Sequence, residues 1–515
     1  MGEMLNFIRS LPFERGAYYL SVTYSKLIES DERKAAGMFF TPPEISLKLI
    51  STCEKLGVNL TSVRLVDPAC GGSALLLPAT IRVNQLLAER GIKARDRITH
   101  LEAHISGGDI DDTLRRLSGH FLRMALYAEI RESGILPEFS LQLQDSLAAG
   151  SNVFMDFDLV LCNPPFRKVT AEEKHKVPEI YRHWMKGQAN LYGYFMALCM
   201  DMLKFGGMAA LITPSGFLSG HSFTPLRKEL TSHNTVHNIT LSPKRTALFL
   251  DVQQEVAVTH VVKGRHLGRR PHVTVETLCR ATQTEVLNKI QLPIDGQIWG
   301  VPRNSEDAAI LRQAARCPAT LADYGYRARV GHHVWNRDGL KRPQYTSSKD
   351  ALAAGASVVP LIWADQIAPM RPFRPTWGEA PECVHMVLDC SSDKTDLCTR
   401  NPAVLIQRVT NNNQKMRIVA APLNWNFISR WKGFAAENHV VILEQTSKKP
   451  SLSPNQLAEL LSTNWVNRQL SCLSASANVS VFELGHLRLP APDVLHEAIC
   501  ADANVSKALQ STVAA

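Results

Sequence analysis

The stretch VRLVDPACGGSA at residues 63–74 decides the fold. An apolar run typical of a buried strand leads into two adjacent glycines, and the apolar residues 75–79 that follow predict the start of a helix. Glycine accepts positive φ and lets a ligand approach the backbone closely. In open α/β sheets such a turn lies where the strand order reverses. The stretch therefore predicts a ligand site in a doubly wound α/β domain, without the Gly-x-Gly-x-x-Gly fingerprint of phosphate-binding loops.

The tetrapeptide NPPF at residues 163–166 is the second informative feature, because it ends the apolar run FDLVLC at residues 157–162. The run predicts a buried strand whose carboxyl end opens into a turn. Proline fixes φ and removes a backbone donor, so the turn is stiff. A stiff turn that presents an amide oxygen, a carbonyl and an aromatic face can hold a planar amino group. An ordinary proline-rich turn is the alternative.

A third segment, GMFFTPPE at residues 37–44, precedes a helix that is predicted to begin near Glu44. The three segments, in this order, resemble the motifs of the gamma class of DNA N6-adenine methyltransferases, the TaqI-like enzymes of restriction–modification systems. Those enzymes use S-adenosylmethionine (SAM). The resemblance implies a doubly wound, Rossmann-like α/β domain that binds SAM, followed by a mixed, strand-rich domain that recognises the DNA target.

The resemblance also implies which residues form the site. Catalysis is expected from Asn163, Pro164, Pro165 and Phe166. Cofactor contacts are expected from residues of all three segments and from two later strand ends: Phe40, Thr41, Pro42, Asp67, Pro68, Ala69, Cys70, Gly71, Asp109, Ile110, Asp145, Ser146 and Asn163.

Those two strand ends each carry an acid. In ISGGDID at residues 105–111, an acid after the strand can accept hydrogen bonds from ribose hydroxyls, so Asp109 is the ribose candidate. Asp111 is the alternative for that role, and could instead cap the helix that is predicted to begin near Thr113. In LQLQDSL at residues 141–147, the resemblance implies that Asp145 contacts the adenine amino group of the cofactor. A surface turn aspartate is the alternative.

Three regions are predicted along the chain: a helical N-terminal extension at 1–35, the SAM-dependent methyltransferase domain at 36–265 and the DNA target-recognition domain at 266–515. The polar, basic stretch at 263–271 suggests the second boundary.

Candidate DNA contacts follow from the basic loops of the second half. Loops in which arginine stands beside Gly, His, Asn or Trp can contact phosphates and base edges, so Arg337 and Arg408 are expected to contact DNA. A solvated charged surface is the alternative. The resemblance further implies that Phe249 packs against the target base.

The composition of the 515 residues fits an ordinary globular protein, with 45% hydrophobic and 20% charged residues. A net charge of +9 suits a polyanionic partner. No apolar run is long enough to span a membrane and the N-terminus has no signal-peptide core, so we expect a cytoplasmic protein. We also expect it to be a monomer. Cys383, His385, Cys390 and Cys398 lack the paired Cys-x-x-Cys spacing of zinc sites, and no metal is expected.

The predicted function is transfer of a methyl group from SAM to the N6 amino group of an adenine flipped out of double-stranded DNA. It would protect the DNA from a separate restriction endonuclease. Methylation of glutamine in proteins, or of adenine-N6 or guanine-N2 in RNA, uses the same kind of turn and stays open as an alternative. The intact motifs disfavour an inactive DNA-binding module, and the lack of a Pro-Asp…Glu-x-Lys cluster disfavours a fused nuclease.

Overall fold

The chain forms two compact units, Met1–Asn304 and Ser305–Ala515. The computed structural model describes residues 7–8, 10–28, 40–150, 155–242, 255–264, 271–279, 283–334, 358–368, 386–387, 398–409, 416–474, 478–502 and 504–514.

Within these residues the first unit contains a nine-stranded sheet. Its strands are β1 (Leu65–Asp67), β2 (Ile105–Asp109), β3 (Ser140–Leu143), β4 (Phe157–Cys162), β5 (Leu203–Pro214), β6 (Asn234–Ser242), β7 (Val256–Lys263), β8 (Val273–Leu278) and β9 (Thr284–Ile290). The helices of the same unit are α1 (Phe13–Leu27), α2 (Pro43–Lys55), α3 (Leu76–Glu89), α4 (Ala94–His104), α5 (Asp112–Ala125), α6 (Tyr127–Ser133), α7 (Ser146–Ala149), α8 (Ala171–Lys176), α9 (Glu179–Arg182), α10 (Leu191–Met202) and α11 (Thr224–Ser232).

The strand order is β3-β2-β1-β4-β5-β7-β6-β8-β9. β1 pairs in parallel with β2 on one side and with β4 on the other, so the strand order reverses at β1. The carboxyl ends of parallel strands at such a switch point form the usual ligand crevice of a doubly wound fold. The predicted fold class is confirmed: a mainly parallel, doubly wound α/β sheet precedes a strand-rich region.

Strand β4 shows why its sequence is apolar apart from Asp158. Successive side chains of a strand point to opposite faces of the sheet. Leu159 and Leu161 pack into the hydrophobic cluster that contains the apolar faces of α2 and α3. Val160 and Cys162 pack into the cluster on the other face, which contains most of α10. A strand covered by helices on both faces is apolar along most of its length, and only Asp158 near its start is half-buried. The predicted bounds 157–162 are those of β4.

The first unit continues past the predicted boundary at 265. β8 pairs in parallel with β6, and β9 pairs antiparallel with β8, so both belong to the same sheet. The buried Lys48 of α2 donates to Thr284 at 2.9 Å and lies 3.3 Å from the carboxylate of Glu276 in β8. The segment after β9 is bound to α11 of the same unit, because the fully buried Arg227 of that helix donates to the carbonyls of Gly296 and Gln297.

The second unit is strand-rich. Its strands are β10 (Tyr326–Val330), β11 (Val358–Val359), β12 (Leu361–Ile362), β13 (Met386–Val387), β14 (Ala403–Gln407), β15 (Ala420–Leu423), β16 (Ala435–Ala436) and β17 (Val440–Gln445). β10, β17, β14 and β15 form an antiparallel sheet in that order. The helices are α12 (Ser305–Ala314), α13 (Trp425–Trp431), α14 (Pro454–Leu461), α15 (Asn464–Leu473), α16 (Val481–Leu484), α17 (Pro492–Asp502) and α18 (Val505–Ala514).

The ion pair between α2 and β8 gives a test of where the first unit ends. Glu276→Gln leaves the charge of Lys48 buried without a counter-charge, since the Lys48 side chain is only 9% exposed. We expect a loss of about 3–5 kcal/mol in the free energy of unfolding, measured by urea titration of the full chain. Glu285→Gln, at an exposed position of β9, is the matched control and should change little. Equal midpoints for both variants would contradict a tight attachment of β8 to the sheet.

Candidate active site

A cavity of about 420 Å³ opens at the carboxyl ends of β1, β2 and β4. Its wall contains the turn after β1, the residues after β2, β3 and β4, and parts of α8 and α10. Most of the site residues predicted from the sequence line it: Phe40, Thr41, Asp67, Pro68, Ala69, Cys70, Gly71, Asp109, Ile110, Asp145, Ser146, Asn163 and Pro165. The volume lies within the range of about 300–1,000 Å³ that is usual for small-molecule sites.

The turn after β1 is held by hydrogen bonds to its own backbone and to β2. Asp67 Oδ1 accepts from the backbone N–H of Ala69 at 3.0 Å, and the N–H of Cys70 donates to the carbonyl of Gly108 at 2.9 Å. Gly71 has φ of 51°, in the left-handed region that glycine adopts without strain. The turn is therefore a rigid backbone surface facing the cavity.

The two candidates for the ribose role, Asp109 and Asp111, have different surroundings in the structure. Asp109 lines the cavity and also supports the turn, because its carboxylate accepts from the N–H of Gly71 at 2.7 Å. Asp111 caps α5 by accepting from the N–H groups of Thr113 and Leu114, and it accepts a further hydrogen bond from the Tyr24 hydroxyl. The capping alternative for Asp111 is what the structure contains.

Asp145 lies at the end of β3 and caps the short helix α7. A single oxygen, Oδ1, accepts from the N–H groups of Leu147 and Ala148, each at 3.1 Å. The carboxylate is exposed yet lines the cavity, so its position is fixed by the helix that it caps.

Asn163 follows β4 directly, and its amide is oriented by a segment 122 residues earlier. The Nδ2 atom donates to the hydroxyl of Thr41, which is buried, at 2.8 Å. Because nitrogen and oxygen lie on opposite sides of an amide group, this bond fixes the direction of Oδ1. The next residue, Pro42, joins this segment to α2, because its carbonyl accepts hydrogen bonds from N–H groups in the first turn of that helix.

The other catalytic candidates differ in exposure. Pro164 is buried, whereas Pro165 and Phe166 are half-buried. The ring of Phe166 meets that of Tyr192 edge to face at 6.2 Å between centroids, and Tyr192 stacks on Phe223 at 5.1 Å. Phe166 therefore ends a row of three aromatic rings.

An ion pair in the cavity wall was not predicted from the sequence. Arg167 donates to both carboxylate oxygens of Glu173, at 2.9 and 2.6 Å, and both residues line the cavity. The Arg167 guanidinium, followed by the N–H of Thr170, lowers the pKa of Glu173 to about 2. Thr170 and Glu173 form a capping box at the start of α8, and this Thr-x-x-Glu spacing was a readable signal.

Burial dominates the electrostatics of the first two acids. It raises the pKa of Asp67 to about 8, against the opposing effect of the Ala69 N–H, and the neighbouring Asp109 raises it further. The pKa of Asp109 is also raised by burial, although the N–H groups of Asp111 and Gly71 lower it in part. The site thus holds carboxyl groups whose charge is disfavoured until a cation or a donor approaches.

Three remaining predictions concern the DNA contacts. Phe249 and Arg337 lie outside the described residues. Arg408 follows β14 and donates to the carbonyl of Asn438 at 2.9 Å, which fixes its side chain. Of the four residues considered for zinc, three lie outside the described residues, and no metal-binding cluster occurs within the part that is described. The absence of a metal stays a prediction.

A family model described as N-6 DNA Methylase matches residues 20–286, slightly more than half of the chain. The chain belongs to the N-6 DNA methylase family. The match covers the glycine turn, both strand-end acids and the Asn-Pro-Pro-Phe turn, and it extends through β8, past the boundary predicted at 265.

Curated relatives of this chain are methyltransferases. The chain is 27% identical over 237 residues to the Type II methyltransferase M.BsuBI of Bacillus subtilis, which is 44% of either chain. It is 23% identical over 358 residues to the Type II methyltransferase M.PstI of Providencia stuartii, which is 66% of either chain. The matches therefore span less than two thirds of the length of these relatives.

Two solved structures share the fold over most of the chain. The Type IIL restriction-modification enzyme MmeI, in complex with DNA, matches with a TM-score of 0.52 and 12% identity, covering 91% of this chain and 72% of that one. The ATP-dependent Type ISP restriction-modification enzyme LlaBIII, bound to DNA, matches with a TM-score of 0.51 and 10% identity, covering 96% of this chain and 42% of that one. At such low identity the likeness concerns the fold.

The cofactor of the chain is SAM, and the cavity fits it. The glycine turn offers backbone to which a ligand can come close, and two carboxylates stand at the ends of adjacent strands. Ile110, 70% exposed, and Phe195 add apolar surface that suits a planar base. In the part of the chain that the structure describes, no helix is both long and apolar enough to cross a membrane.

The raised pKa of Asp67 gives a pH prediction. The unfolded chain loses this proton near pH 3.9, whereas the folded chain keeps it to about pH 8. Stability should therefore fall as pH rises across that interval, by at most about 1.4 kcal/mol per pH unit. The Asp67→Asn variant has no such proton to lose. The difference between its free energy of unfolding and that of the wild type should therefore shift in favour of the variant as pH rises to about 8, and should stay constant above that pH. Parallel curves from urea unfolding at several pH values would rule out a buried, protonated Asp67.

Proposed function

We propose that this protein is a site-specific DNA adenine methyltransferase that transfers the methyl group of SAM to N6 of an adenine in double-stranded DNA. The observation that carries the proposal is the oriented amide of Asn163. It stands at the carboxyl end of β4, bonded to Thr41, in one cavity with the glycine turn and the acids Asp109 and Asp145. This is the arrangement needed to hold a planar amino group beside a bound nucleoside cofactor.

The reaction needs a more nucleophilic amino group. Adenine N6 is a poor nucleophile because its lone pair is delocalised into the ring. Asn163 Oδ1 and the carbonyl of Pro164 accept hydrogen bonds from the two amino hydrogens, which favours a pyramidal nitrogen with an available lone pair. These acceptors also face the positive charge that develops on the nitrogen during transfer. When bound, SAM supplies a methyl group on a sulfonium, which is already a good leaving group.

Positioning supplies the remainder of the acceleration. Phe166 stacks on the target base, which must leave the duplex because its amino group is otherwise out of reach. We assign a second aromatic contact with the target base to Phe249. Asp109 accepts from the ribose hydroxyls and Asp145 from the adenine amino group of the cofactor, so that the methyl group is held in line with the nitrogen.

We assign recognition of the DNA site to the second unit, where Arg408 is a candidate contact, together with Arg337. The net charge of +9 supports a polyanionic substrate. The Type II methyltransferase relatives support a place in a restriction–modification system. We assign a separate endonuclease as the functional partner. That partner, the monomeric state and the cytoplasmic location stay predictions.

The first test removes the amide. Asn163→Ala should lower methyl transfer by at least about 100-fold, because one preorganised partner of the transition state is lost. SAM affinity should stay within a few fold, since Oδ1 serves the target base. Thr41→Val should lie between wild type and Asn163→Ala, because it releases the amide without removing it.

The readout is the modified-adenine content of DNA from cells that express each variant, by long-read sequencing, with calorimetry for SAM. Equal methylation by wild type and Asn163→Ala would remove the role of Asn163. A wild-type chain that methylates RNA or protein and leaves duplex DNA unmodified would replace the proposed substrate.

The second test separates the two acids after β2. Asp109→Ala should weaken SAM binding by about 1.5–3 kcal/mol per lost charge-assisted hydrogen bond to ribose. Asp111→Ala is the matched control: it should leave SAM affinity nearly unchanged and instead destabilise α5 by about 0.5–2 kcal/mol through the lost cap. Calorimetry and thermal unfolding of both variants measure this. The reverse pattern would transfer the ribose role to Asp111.

A further inference from the structure

A second cavity, of about 500 Å³, lies beside the catalytic turn. Lys168, Lys186 and His221 contribute basic side chains to its wall, and Phe223 contributes an aromatic ring. None of the described residues that line it is an aspartate or a glutamate. It is therefore a basic cavity, and the reaction described above makes no use of it.

The basic cavity and the active-site cavity are separated by a short two-stranded strip. Lys168 pairs with Asn190 in an antiparallel bridge. The N–H of Val169 donates to the carbonyl of Ala189 at 3.0 Å, and that of Leu191 to the carbonyl of Arg167 at 2.8 Å. Side chains alternate along such a strip. Arg167 and Val169 accordingly line the active-site cavity, whereas Lys168 between them lines the basic cavity.

The charge of the basic cavity is available to a ligand. Both lysines are exposed, and in the described part of the chain neither side chain forms an ion pair. The wall also includes Asn190, the N-cap of the twelve-residue helix α10, which makes no side-chain cap hydrogen bond. The amino end of a helix carries partial positive charge and adds to the attraction for an anion.

Aromatic packing connects this cavity to the catalytic turn. Phe223 in its wall stacks on Tyr192, and Tyr192 meets Phe166 edge to face. Phe166 lies two residues before Lys168 in the chain, and the proposed function places the target base against Phe166. A phosphodiester is the anion that such a base brings with it.

We propose that the basic cavity formed by Lys168, Lys186 and His221 binds backbone phosphates of the DNA strand that carries the target adenine. The inference rests on the proposed function, and it adds a phosphate site in the first unit to the DNA contacts assigned to the second. The phosphates held there anchor the strand while the base enters the active-site cavity.

Salt dependence of DNA binding tests the site with the full-length chain. Each lysine that neutralises a phosphate contributes about one unit to the slope of log affinity against log salt concentration. Lys168→Ala and Lys186→Ala should each make that negative slope shallower by about one unit for a duplex of fixed sequence. The SAM affinity of both variants should be unchanged. Lys55→Ala, an exposed charge at the far end of α2, is the matched control and should leave the slope unaltered. Lys168 lies in the strip, so its replacement could also disturb the active-site cavity. The result for Lys186→Ala therefore decides whether the phosphate site exists.

Neutral phosphates locate the contact. A duplex with methylphosphonates flanking the target adenine should bind wild type less tightly than the unmodified duplex, and should bind the Lys168→Ala, Lys186→Ala double variant no less tightly than that variant binds unmodified DNA. An unchanged slope for Lys186→Ala, or additive losses with methylphosphonate DNA, would overturn the phosphate site while wild-type methylation of DNA leaves the proposed function intact. A wild-type chain that neither binds nor methylates duplex DNA would instead overturn both.

Discussion

The parallel pairing of β1 with β2 and β4 is the constraint on which the site depends. Leu65 is in register with Ile105 on one side and with Leu159 on the other, so three strands end at one edge of the sheet. That edge receives the glycine turn, Asp109 and Asn163, although nearly a hundred residues separate the first from the last. The hydrogen bond from Asn163 to Thr41 then orients the amide to which we assign the catalytic role.

Charge is divided between the two sides of the strip that follows the catalytic turn. Asp67, Asp109 and Asp145 line the active-site cavity, and the two cations in its described wall, Arg167 and Lys176, are paired with Glu173 and Glu172. On the other side the charged groups are lysines. Carboxyl groups suit a cofactor that carries a sulfonium, and ammonium groups suit a polyanion. This division of charge suits the proposed function, in which a cationic cofactor and a polyanionic DNA strand bind on opposite sides of the strip.

The sequence was sufficient wherever burial imposes a pattern. β4 has the predicted bounds because both of its faces are covered, and α2 begins one residue before the predicted Glu44. It was insufficient where pairing is non-local. β9 is exposed or half-buried along its whole length, so it carries no apolar run, and nothing local tells that β8 joins β6 in parallel.

The strands beyond 265 have a consequence for how such genes can diversify. A crossover between two homologous genes at that point would combine an incomplete sheet from one parent with unmatched strands from the other, and Lys48 would meet a foreign neighbour in place of Glu276. A crossover after Asn304 passes each compact unit on whole. We therefore expect exchange of the second unit between homologues to be tolerated at a junction about forty residues later than the composition of the chain suggests.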